Sequence, residues 1–87
     1  MVKQKVILKN MTGLDLRPVG VLCDTAVQFQ SRVNICFENA TINAKSVLGI
    51  LGSGIKNGDE IELVCEGKDE KEALDAMLKI IEEGLGE

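Results

Sequence analysis

Apolar residues recur at every second position near the start of the chain. Val2, Val6 and Leu8, with Gln4 between them, share one face of an extended segment that Thr12-Gly13 closes, which predicts a first strand. From Leu16 the spacing becomes helical. Val19, Leu22, Cys23 and Ala26, extended by Phe29, fall on one side of a predicted helix. Asp15 stands where its N-cap is expected, and Pro18 suits the first turn because its missing N–H would have no intrahelical partner there. Val33, Ile35 and Phe37 predict a second strand. Glu38-Asn39 predicts a two-residue hairpin into a third strand at Thr41-Ile42-Asn43, with Asn39 taking the positive φ.

Ser46 is expected to cap a short helix from Val47 to about Leu51, kept brief by glycines at 49, 52 and 54. Asn57-Gly58 then turns the chain into a fourth strand with Ile61, Leu63 and Cys65 on one face. Asp69 with Glu72 three residues on predicts a capping box. Ala73, Leu74, Met77, Leu78 and Ile81, continued by Leu85, form the buried stripe of a last helix. The order βαββαβα predicts an α+β fold, a mainly antiparallel four-stranded sheet with three helices on one face. Residues 1–87 are expected to form a single domain, with no linker, repeat or low-complexity stretch.

Composition narrows the chemistry. Only two aromatic residues, Phe29 and Phe37, are present, so the core is aliphatic and a base-stacking RNA reader is disfavoured. Ten basic against fourteen acidic residues give a net charge of -4, which argues against direct nucleic-acid binding and favours protein partners with basic patches. Cys23, Cys36 and Cys65 are odd in number and widely spaced, and the chain has no histidine. No metal site or cofactor is therefore expected, and the cysteines are expected to be buried hydrophobes in a reducing cytosol. Met1-Val2-Lys3 leads straight into a strand pattern, and no apolar run approaches the roughly 20 residues of a membrane helix, so no membrane contact and a cytoplasmic location are expected. The glycine-rich run from Gly49 to Gly54 lacks the Gly-Lys-Ser/Thr ending of a nucleotide-phosphate loop.

Two motifs carry the functional signal. Gly13-Leu14-Asp15-Leu16-Arg17-Pro18 and Asn43-Ala44-Lys45-Ser46, at this spacing, resemble the active-site and regulatory segments of the HPr family, the phosphocarriers of the bacterial sugar phosphotransferase system. The resemblance runs from the first strand to the last helix and implies an HPr-like open-faced β-sandwich. It places Asp15 where the family carries its phosphorylated histidine, and Ser46 at the regulatory serine. In Crh-like members a glutamine replaces that histidine, and Asp15 departs from that pattern as well.

Asp15 has three readings. It is a good N-cap whose carboxylate also suits the positive end of a helix dipole. As a carboxylate it is able to form an acyl phosphate. Its fixed charge also mimics a phosphorylated residue in part. Arg17, which in the family holds phosphate and contacts partners, is suited to either of those tasks or to a local ion pair with Asp15.

At Ser46 a bare capping role and a regulatory role are both compatible with the residues. The resemblance implies phosphorylation by the ATP-dependent HPr kinase/phosphorylase, and a phosphate is electrostatically tolerable near a helix start. It also implies that Val47, Leu48 and Leu51, extended by Asp15, Leu16 and Arg17, form a docking patch where a phosphate decides when partners bind. The leading expectation is a non-enzymatic regulatory phosphoprotein of the phosphotransferase system and carbon catabolite control. Its phosphorylated form would bind a LacI-type transcription factor or a metabolic enzyme. The alternatives are an atypical phosphocarrier that takes phosphate from enzyme I on Asp15 and passes it to enzymes IIA, and an ordinary HPr whose histidine has been mutated.

Overall fold

The computed structural model describes residues 1–9, Met11 and 16–86. Its elements follow the expected order: β1 (Val2–Ile7), α1 (Arg17–Ala26), β2 (Arg32–Phe37), β3 (Ala40–Asn43), α2 (Val47–Gly52), β4 (Glu60–Glu66) and α3 (Glu70–Glu82). The strands form one antiparallel sheet in the order β1-β4-β2-β3. Register is set by alternation along β4, where Ile61, Leu63 and Cys65 are buried while Glu60 and Glu66 face solvent. Leu63 lies opposite Gln4 on one side and Ile35 on the other, which puts the aliphatic rows of β2 and β4 side by side.

The helices cover that apolar side. α3 packs on β4, β1 and β2, while α1 touches both α3 and α2. Leu22, Ile35, Leu63, Met77 and Ile81 meet in a core that also takes in Leu8 and Ile50. Ala73, Met77 and Ile81 are the buried stripe of α3, with Leu74 and Leu78 half-buried at its margins. This is the α+β open-faced sandwich that the element order demands. Among the described residues, no helix is long and apolar enough to cross a membrane.

Several local expectations are corrected by tertiary contacts. The β2–β3 hairpin has its two-residue turn at Glu38-Asn39, with Phe37 paired to Ala40, but Glu38 rather than Asn39 takes the positive φ of 55°. α1 is capped by Leu16, without a side-chain hydrogen bond, so Arg17 and Pro18 are its first two residues. The expected cap residue, Asp15, and the Thr12-Gly13 turn lie outside the described residues. Asp69 precedes α3 as expected, yet it forms no capping box with Glu72. Its N–H donates to the Ser31 hydroxyl at 3.2 Å, and its carboxylate accepts the N–H groups of Gln30 and Ser31. Its partners are thus supplied by the α1–β2 connection, which sequence spacing does not reveal. Cys23 and Cys65 are buried, but Cys36 is half-buried on the uncovered side of the sheet. Burial pushes the Cys65 thiol up, with Glu70 and Asp69 adding to the effect.

Candidate functional site

Ser46 sits at the junction between β3 and α2, and three neighbours fix the chain just before it. The Lys45 N–H donates to Asn43 Oδ1 at 2.9 Å and the Ser46 N–H to the Asn43 carbonyl at 3.0 Å, a turn that stops β3 and starts the helix. The Lys45 ammonium donates to the Phe29 carbonyl at 2.7 Å, and the Cys23 thiol donates to the Lys45 carbonyl at 3.1 Å. The residue before Ser46 is therefore held from both sides by α1 and the loop that follows it. Neither contact was visible in the sequence, because each spans more than fifteen residues and uses a backbone carbonyl as acceptor.

Ser46 itself is extended, with φ -111° and ψ 112°, and its Oγ accepts the Gly49 N–H at 3.0 Å. Its carbonyl accepts the Ile50 N–H at 3.0 Å. These are the two bonds of an N-cap, and the expected role is met. Ser46 is half-exposed, so the residue that caps the helix also lies at the protein surface.

α2 buries only one of its large side chains. Ile50 is 2% exposed and anchors the helix, whereas Leu48 is 82%, Leu51 44% and Val47 40% exposed. At the start of α1, Leu16 is 59% exposed and Arg17 is also at the surface. The structure therefore groups Ser46, Val47, Leu48 and Leu51 on one short helix and packs that helix against α1. Leu16 lies about 10 Å further along the α1 axis than Cys23, seven residues at 1.5 Å each. Asp15, the remaining expected site residue, lies outside the described residues.

Charge is divided unevenly along the sequence. Eleven of the fourteen acidic residues follow Lys56, leaving Asp15, Asp24 and Glu38 before it, and α2 carries no charge at all. The net acidity thus belongs to β4, α3 and their flanks. The α2 surface itself contributes nothing to that acidity. Among the described residues, no group of three or more acidic or thiol side chains is placed to hold a metal ion.

A short helix with Val47, Leu48 and Leu51 exposed, begun by the half-exposed Ser46 cap, lies on an open-faced α+β sandwich. The family model described as "PTS HPr component phosphorylation site" matches residues 2–83. The chain is 38% identical over 82 residues to the HPr-like protein Crh of Halalkalibacterium halodurans, covering 94% of this chain and 98% of the relative. It is 33% identical over 82 residues to the phosphocarrier protein HPr of Treponema pallidum, covering 94% and 93%. The crystal structure of HPr-C-His from Thermoanaerobacter tengcongensis superposes with a TM-score of 0.94 at 38% identity, covering 100% of this chain and 98% of that one. The chain belongs to the HPr family of phosphocarrier and HPr-like proteins.

Proposed function

We propose that this chain is a regulatory HPr-family protein, a single domain over residues 1–87 that catalyses nothing itself and acts in the cytoplasm. Ser46 is its switch. HPr kinase/phosphorylase transfers phosphate from ATP to the Ser46 hydroxyl. The modified protein then docks through Leu16, Arg17, Val47, Leu48 and Leu51 on a LacI-type catabolite-control transcription factor or a metabolic enzyme. The observation that carries this reading is the half-exposed Ser46 cap on a helix whose leucines face solvent, in a chain with no histidine.

The absent histidine bears directly on the chemistry. Phosphocarriers relay phosphate on a neutral imidazole nitrogen, and the chain has no such group at Asp15 or elsewhere. The Crh relatives, named as HPr-like rather than as phosphocarriers, support the regulatory reading. A phosphate at Ser46 would bring about -1.5 to -2 charges to a helix that has none, changing the surface partners meet without requiring a new fold.

The test is incubation of the purified protein with HPr kinase and ATP, read by site-resolved mass spectrometry. Phosphate on Ser46 is expected, and its absence removes the proposal's main support. A parallel incubation with phosphoenolpyruvate and enzyme I tests the phosphocarrier alternative, in which Asp15 would carry a hydroxylamine-sensitive acyl phosphate.

A further inference from the structure

The outer side of β1 is an open sheet edge. The strand order β1-β4-β2-β3 leaves β1 paired only to β4, and among the described residues no other strand meets it. The Leu8 N–H donates to the Asp59 carbonyl and the Leu8 carbonyl accepts the Gly58 N–H, both at 2.9 Å, so Leu8 faces β4. Antiparallel alternation then turns the N–H and C=O groups of Lys3, Lys5 and Ile7 away from β4, toward the free edge. The six residues of β1 pair with β4 in unbroken register and include no proline, so neither a bulge nor a missing donor blunts this edge.

The two faces beside the edge differ. Val6 shares the helix-covered face with its partner Ile61, and with Leu78 and Ile81 of α3 it lines a groove of about 330 Å³. β4 contributes no residue to that groove, which therefore lies on the outer side of β1. On the uncovered face stand Lys3, Lys5 and Ile7, all exposed, with Lys5 opposite Glu62 and Lys3 opposite Val64. No acidic residue precedes Asp15, so this edge is basic although the chain carries a net charge of -4.

Charge decides what fits there. A second β1 added antiparallel, with the faces of the two sheets continuous, meets a lysine clash in every register that overlaps half the strand or more. Lys3 then stands against Lys3, Lys5 or Lys9 of the copy, or Lys5 against Lys5. Directly opposed like charges destabilise a strand pair, whereas opposite charges stabilise it. The edge thus disfavours a second copy and favours an acidic strand.

We infer that the outer edge of β1 is a second docking site, which takes an extended segment of a partner protein as an added antiparallel strand. The segment's acidic side chains stand opposite Lys3 and Lys5, and the apolar side chains between them enter the groove beside Val6, Leu78 and Ile81. Backbone bonds to Lys3, Lys5 and Ile7 supply affinity, and the alternation of acidic and apolar positions supplies specificity. α2 packs on β3 at the opposite edge of the sheet, so this site is separate from the Ser46 surface.

The test is an NMR titration of the isotope-labelled protein with three synthetic peptides, read by amide shifts and amide hydrogen exchange. The first, acetyl-Thr-Ile-Val-Glu-Val-Glu-Thr-amide, sets its glutamates opposite Lys5 and Lys3 and its valines on the groove side. The second carries lysine for both glutamates, and the third carries serine for both valines. The first peptide is expected to shift the amides of Lys3, Lys5 and Ile7 and to slow their exchange. The other two should bind at least about tenfold more weakly. Lys3→Glu/Lys5→Glu, checked by thermal melting, should reverse the preference between the first two peptides. No shift with the first peptide at millimolar concentration overturns the inference, as do shifts centred on α2 instead of β1. Equal binding of the lysine or the serine peptide also overturns it, and concentration-dependent shifts of the β1 amides without peptide would make a second copy the occupant instead. Should the double variant fail to fold, the three peptides on the unaltered protein decide the matter. The outcome depends on neither Ser46 nor a kinase, so its failure leaves the proposed function untouched.

Discussion

The Asp69 carboxylate accepts a hydrogen bond from the Ser31 N–H at 2.9 Å and another from the Ser31 hydroxyl, across thirty-eight residues of sequence. With the Gln30 N–H at 3.0 Å, these bonds join the start of α3 to the connection between α1 and β2. They favour the ionised carboxylate. The Ser31 hydroxyl first, then the Gln30 amide, holds Asp69 at about 2 against an ordinary 3.8. A group depressed in the folded state contributes stability that is present above its unfolded pKa and is lost as pH falls through the folded value. The protein is therefore expected to lose stability between about pH 4 and pH 2 in part through Asp69. Asp69→Asn should lower stability at pH 7 and flatten the dependence in that acid window, read from urea midpoints at several pH values. Ser31→Ala, which removes a buried hydroxyl donor to a charge, should cost about 1–2 kcal/mol at pH 7.

Gly67 has no freedom to change. Its φ is 150°, and a β-carbon there would lie 2.7 Å from Ser31 Cα and 2.6 Å from Ser31 Oγ. The obstacle is backbone of a buried residue, so it cannot swing aside. Gly67→Ala should destabilise the fold by about 2–4 kcal/mol, combining a strained φ with displacement of the Asp69–Ser31 bonds. Gly54→Ala provides the contrast. It shares the positive φ, at 79°, but meets open space, and should cost about 1 kcal/mol. Equal losses in chemical denaturation would count against the close-approach argument.

What could be read from the chain, and what could not, divides along physical lines. Alternation in Ile61, Leu63 and Cys65 and helical spacing in Ala73, Met77 and Ile81 report burial by local repetition, so the elements and the sheet-facing residues were legible. Ser46 was legible too, because an N-cap depends only on the next few residues. Asp69 was misread because its preferred partners come from a distant loop. Spacing alone made Glu72 look like the reciprocal cap. The contacts that Cys23 and Phe29 make with Lys45 are properties of packing between α1, the loop after it and the junction of β3 with α2. No pattern in a single sequence encodes them.

Leu85 combines strain with complete burial. It is 1% exposed and has a φ of 56°, following Gly84 at 91°. Its N–H donates to the Ile80 carbonyl at 2.9 Å and that of Gly84 to the Ile81 carbonyl at 3.1 Å, the paired bonds of a Schellman motif ending α3. Leu85 thus closes the core beneath the helix end. Leu85→Ala should cost about 2–3 kcal/mol, since the lost burial is not offset by any relief of φ. Leu85→Gly removes one more carbon but relieves the left-handed strain, worth about 1 kcal/mol. The two variants should therefore have similar thermal midpoints, although glycine is normally the more damaging replacement. A glycine variant much less stable than the alanine one would show that φ strain at Leu85 is small.

Leu48 and Ile50, two residues apart on α2, should separate binding from folding. Ile50 is 2% exposed and part of the core, so Ile50→Ala should cost about 2–4 kcal/mol of stability. Leu48 is 82% exposed, and Leu48→Ser should change stability by no more than about 0.5 kcal/mol. The effect on a partner should be the reverse. If the phosphorylated protein docks through this helix, the Leu48 side chain passes from water into an apolar contact, and its loss should weaken binding at least about tenfold, or about 1.4 kcal/mol. Calorimetric titration of Ser46-phosphorylated Leu48→Ser against a LacI-type catabolite-control factor measures this directly. Unchanged affinity would exclude Leu48 from the interface, because a side chain so exposed has no structural route by which its loss could be compensated. The comparison must use protein phosphorylated to the same extent, since Leu48 also lies two residues from the modified serine and its substitution is able to slow the kinase.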